Sequence, residues 1–143
     1  MKVKYIHFSG IAIIIIGFVL IGFLYVSQPR SLAEVTTKGQ VALGTYDINT
    51  QEFDAGLAAF RRDEFLAARA AFDRADPEKR DAATQFYSAY SYYRQGWGRV
   101  SNDDALFQSG LEAANRVIAL NPGFRSTDES LQIKTAVELK NEL

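Results

Sequence analysis

The chain of 143 residues has no cysteine, one histidine, one tryptophan, one methionine and three prolines. Without cysteine there is no disulfide framework and no thiolate nucleophile or metal ligand. The lone His7 sits inside an apolar N-terminal stretch, so no Ser/His or Cys/His pair can form in the remainder of the chain. Three prolines and ten glycines are too few for a loop-dominated or low-complexity protein. No metal-ligand spacing and no phosphate-cradling glycine loop occurs. Basic charge is also short. Lys2 and Lys4 aside, the 16 basic residues fall to 14 against 17 acidic, which does not suit nucleic acid. Neither catalysis, a cofactor nor a metal is expected.

What is present is unevenly distributed. Between Lys4 and Gln28 no side chain is formally charged, and Tyr5–Val26 is almost wholly apolar. As a helix that stretch rises roughly 33 Å, against a hydrocarbon core about 30 Å thick. Tyr5, Phe8 and Tyr25 lie near its ends, where amphipathic rings favour the interface. The sequence therefore predicts a transmembrane anchor with a short leader over residues 1–27. The rival is a cleavable signal peptide with Ser31-Leu32-Ala33 as its small-x-small site, but an h-region usually runs only about 7–15 residues. Lys2 and Lys4 before the span, against Arg30, Lys38 and Glu34 after it, favour a cytoplasmic N-terminus and a periplasmic C-terminal domain.

Residues 28–49, with Pro29, Gly39, Gly44 and several threonines, read as a linker, with a short extended piece at Gln40–Ala42. From Thr50 onward helices alternate with brief breaks. Asn49-x-x-Glu52 has capping-box form and opens a helix to about Arg62. Over Asp63–Ala75, the residues Phe65, Ala68, Phe72 and Ala75 form one stripe, ended by Asp76-Pro77. A third helix, about Glu78–Gln95, carries Phe86, Ala89, Tyr90, Tyr93 and Trp97 along one face and breaks at Gly96-Trp97-Gly98. A fourth, about 103–120, is capped by Asn102-Asp103-Asp104, carries Phe107, Leu111, Ala114 and Ile118 with Val117 beside them, and stops at Asn121-Pro122-Gly123. Ser126-x-x-Glu129 reads as a capping box opening a last helix. The fold class is all-α, and short breaks between such helices imply hairpins that must stack to create a core. The carboxylate pairs Asp63-Glu64, Asp103-Asp104 and Asp128-Glu129 each fall at an expected helix start, where open N–H groups account for them.

This pattern resembles the tetratricopeptide repeat, a helix–turn–helix of 34 residues with small residues where its helices touch. Gly56, Ala68, Phe72 and Ala75 fit one unit, with Arg62-Asp63-Glu64-Phe65 in place of the usual glycine-containing turn. The next begins 33 residues on with Ala89, Tyr92 and Gly96, and its partner helix supplies Gly110, Ala114, Val117, Leu120 and Pro122. Two departures stand out: Glu52 replaces the usual large residue, and about nine extra residues separate Gly96 from Gly110. The resemblance spans 50–122, about half the chain, and makes 50–143 a domain of two repeats and a capping helix. The alternative is a generic helical bundle in accidental register.

The resemblance implies a concave groove for a protein segment, lined here by Phe53, Leu57, Phe60, Arg61, Phe86, Tyr90, Tyr93 and Arg94. Aromatic residues and arginine are enriched at interfaces, but at helical spacing the same residues also serve as core. The lysine and asparagine set with which some family members clamp a terminal carboxylate has no counterpart at these positions. Trp97, in the extra segment with Arg99 and Val100, is a second candidate contact, or folds back over the hairpin end. The expected function is a membrane-anchored scaffold or assembly factor, non-catalytic, that meets membrane-associated proteins and touches lipid through residues 5–26. The alternative is an accessory subunit of a larger respiratory, photosynthetic or secretion complex.

Overall fold

The computed structural model describes residues 14–19, 21–22, 46–97 and 103–143. The chain divides into two compact units, Met1–Tyr46 and Asp47–Leu143. In the first, residues 14–19 and 21–22 are helical. The transmembrane helix expected over Tyr5–Val26 is not supported: among the described residues no helix is long and apolar enough to cross a membrane. The rest of that span, the linker through residue 45 and the piece at Gln40–Ala42 lie outside the described residues.

The second unit begins with α1, Thr50–Arg61. The Asn49 side chain accepts the Glu52 N–H at 3.2 Å, which is half of the expected capping box. The other half is absent because the Asn49 N–H already donates to the Ala75 carbonyl at 2.9 Å. Glu52 instead accepts from Arg74, tying the start of α1 to the end of α2, Phe65–Ala75. The two helices are therefore antiparallel. Gly56 permits their contact, since a Cβ there would lie 2.4 Å from the Phe72 ring. Ala68, Phe72 and Ala75 of the expected stripe are all buried.

Between α2 and the next helix, the buried Asp76 carboxylate organises the chain. It accepts the N–H groups of Arg80 and Asp81 and the side-chain amide of Gln85, each at 2.9 Å. Lys79 takes a left-handed φ of 55° inside this turn. Glu78–Asp81 is thereby held out of the helix, and α3 runs Ala82–Gly96 rather than from Glu78, capped by Asp81. α4, Asp104–Leu120, is capped by Asp103 as expected and pairs with α3 along its length. Gly96 meets Phe107 at one end of that pair, and Gln85 accepts from Arg116 near the other.

The last helix departs most from expectation. No helix starts at Ser126. Its hydroxyl accepts the Asp128 N–H, Asp128 accepts from Ser130, and the Ser126 N–H donates to the Lys134 carbonyl. Side chains that bond nearby backbone in this way compete with a helix. Residues 124–135 are irregular, with a single antiparallel bridge between Arg125 and Thr135. The complete capping box lies at Thr135/Glu138 and opens α5, Ala136–Glu142. The core gathers Phe60, Phe72, Phe86, Tyr87, Tyr90, Val117, Leu131 and Leu139, from all five helices of this unit and from the irregular segment.

Candidate functional site

The C-terminal ends of α1 and α3 lie side by side, and residues 130–132 face them. Together they enclose an open pocket of about 530 Å³, lined by Phe60, Arg61, Asp63, Tyr90, Tyr93, Arg94, Trp97, Ser130, Leu131 and Gln132. Six of the nine residues expected to contact a partner, Phe60, Arg61, Tyr90, Tyr93, Arg94 and Trp97, therefore share one site.

Their exposures are very different. Phe60 is 2% exposed and Tyr90 5%, so both are core residues that form the pocket's floor. From there a ladder of rings climbs outward. Phe60 to Tyr90 is 5.8 Å between centroids, Tyr90 to Tyr93 is 5.8 Å, and Tyr93 to Trp97 is 5.7 Å. Trp97 ends the ladder 58% exposed. It is braced by Tyr93 yet open to solvent, while Arg99 and Val100 lie outside the described residues. Burial pushes the Tyr93 phenol above its ordinary pKa, with Glu142 and Tyr90 adding to the effect.

Phe86, Phe53 and Leu57 do not reach the pocket. Phe86 is fully buried against Phe124 at 5.2 Å, and Phe53 and Leu57 are half-buried against the core. The irregular segment covers Phe86 through Phe124, while Phe53 packs against Phe72 and Tyr87. Asp128 accepts from the Tyr87 hydroxyl at 3.1 Å, and Leu131 is buried.

The rim carries the charge. Arg94 pairs with Asp63 at 2.8 Å and lies over the rings of Phe60 and Phe65, at 5.6 and 5.1 Å from their centroids. Asp63 has a φ of 62°, a left-handed conformation that aspartate tolerates better than most residues. Its role is thus at the pocket rim; the α2 N-cap position falls to Glu64, whose side chain makes no capping bond and pairs with Arg62. Arg61 is exposed and acts electrostatically on Asp128 and Tyr87. The Ser130 hydroxyl, ahead of its backbone N–H, the Tyr87 hydroxyl and Arg61, holds the Asp128 carboxyl below its ordinary pKa despite some burial.

Asp63 and the wall at 130–132 were not expected from the sequence. The first had a signal, an acidic residue in a tight interhelical turn. The second was hidden by the helix expected from Ser126. Among the described residues no group of three or more His, Cys, Asp or Glu side chains is placed to hold a metal ion.

Comparison with protein-family models, curated proteins and solved structures gave no match. The reading of this site therefore rests on its geometry.

Proposed function

We propose that the unit Asp47–Leu143 is a non-catalytic protein-interaction module of tetratricopeptide-repeat type, and that a partner segment seats in the pocket between the ends of α1 and α3. The observation that carries the reading is the aromatic ladder, which leads from a buried floor to the exposed Trp97 in a pocket that Arg61 and Arg94 also line. Rigid rings backed by core bury large area at small entropic cost, and Trp, Tyr and Arg dominate binding energy where interfaces have been scanned. Two features support the repeat assignment: consecutive antiparallel hairpins, and small residues turned inward at Gly56, Ala68, Ala89 and Gly110.

The test separates binding from folding. Phe60 is unsuitable because it is core, so the informative changes are Tyr93→Ser and Trp97→Ser together. Affinity capture with the wild-type chain is expected to retain a protein that the double variant loses, with helical circular dichroism unchanged. Equal capture by both proteins would overturn the assignment of the pocket.

A further inference from the structure

The pocket's charges are not equally fixed. The Arg94 guanidinium is held by two rings as well as by Asp63, and its side chain is 38% exposed. The Asp63 side chain is 61% exposed, so water competes for its pair with Arg94. Lining cations, Arg61 and Arg94, outnumber the lining carboxylate, Asp63. Two other carboxylates act from outside the lining. Those are Asp128, whose oxygens accept from Ser130 and the Tyr87 hydroxyl, and Glu142, whose charge is felt at Tyr93. Glu64 is engaged by Arg62. A well-oriented guanidinium beside an exposed aromatic shelf, with a loosely held counter-ion, is matched by a ligand that brings its own carboxylate.

We infer that the pocket takes a short extended peptide segment carrying an aromatic or branched apolar side chain next to an aspartate or glutamate. The apolar side chain lies against Tyr93 and Trp97. The carboxylate displaces Asp63 from Arg94 and accepts a forked pair of N–H bonds, the geometry in which arginine binds carboxylates most strongly. Asp63 is then an internal competitor that lowers affinity and excludes ligands without an acid. This inference rests on the partner-binding reading above and adds the chemistry of the partner.

The probe is a phage-displayed library of random peptides, about nine residues long, selected on the immobilised full chain, which spans the extended reach of such a pocket. The enriched sequence is then measured by fluorescence anisotropy on wild type, Asp63→Asn and Arg94→Gln. Asparagine also tolerates the left-handed φ at this position, so Asp63→Asn removes the competing charge without disturbing the turn. The inference expects enriched peptides with an acid within about two positions of Trp, Phe or Leu, bound about 3-fold tighter by Asp63→Asn. Arg94→Gln is expected to bind them about tenfold more weakly. Enriched peptides that lack an acid, or that bind Asp63→Asn no better than wild type, would overturn the inference and leave the partner-binding reading standing. Enrichment no greater than on the Tyr93→Ser, Trp97→Ser double variant would overturn both. Should Arg94→Gln fail to fold, the exposed Asp63→Asn still decides the matter.

Discussion

Gly56 and the Phe72 ring occupy space that no third group can share, because a methyl group at 56 would sit 2.4–2.5 Å from two ring carbons. Phe72 is fully buried and cannot swing away freely. Gly56→Ala is therefore expected to destabilise the unit by about 1–3 kcal/mol despite the better helix propensity of alanine. Urea unfolding measures this, with Gly123→Ala as control, where the nearest atom is 3.7 Å away. Arg69 is a different kind of residue. It is 7% exposed, stacks 4.2 Å over Tyr92 and donates to Gln95, but its Nη1 has no hydrogen-bond partner. Desolvation is the largest influence on its pKa and lowers it. A buried cation with one orphan donor contributes little net stability, so Arg69→Met is expected to be neutral or stabilising by about 1 kcal/mol, read by thermal unfolding. Asp76→Ala should behave oppositely. It deprives two backbone N–H groups and the Gln85 amide of their acceptor in a buried turn, at a cost of about 3 kcal/mol in the same assay.

The elements show where sequence signals compete. Asn49 and Asp103 cap as their sequence pattern suggests, because each precedes an apolar stripe that packing then rewards. Ser126-x-x-Glu129 carries an equally good pattern, yet no helix forms there. Ser126, Asp128 and Ser130 satisfy one another's backbone first, and the Tyr87 hydroxyl fixes Asp128 from another helix. That tertiary bond spans 41 positions and leaves no local trace. The true cap, Thr135/Glu138, opens a helix of only seven residues, too short to persist by propensity alone. Thr135→Ala is expected to cost about 1 kcal/mol and to raise amide exchange across α5. The segment before it carries a pH dependence. The folded-state pKa of Asp128 is depressed, so the folded protein binds that proton less readily than the unfolded chain. Its contribution is present above the unfolded carboxyl's titration, near pH 4, and is lost as the pH falls through the lower folded value. Asp128→Asn is expected to flatten the acid limb of stability against pH, measured by denaturant unfolding below about pH 4.

At the scale of the whole molecule, the first four helices of the second unit were legible because period-3.6 stripes and turn residues report burial directly, whereas the start of the fifth was not. The apolar N-terminal run suggested a membrane span that the described residues do not support. The candidate site was legible in part. The repeat resemblance put Phe60, Arg61, Tyr90, Tyr93 and Arg94 in one groove, and they line one pocket at the neighbouring ends of α1 and α3. Spacing could not say that Phe86 would be covered by Phe124, because the covering segment is irregular and comes from elsewhere in the chain. Trp97 is the single tryptophan of the protein, and it stands 58% exposed at the open end of the pocket. Titrating the chain with a captured partner or an enriched peptide, while following Trp97 emission and its quenching by acrylamide, shows whether a ligand seats in the pocket. Seating in the pocket predicts a blue shift and a loss of quencher access that saturate together with binding. Saturable binding that leaves both the emission and its quenching unchanged would contradict it.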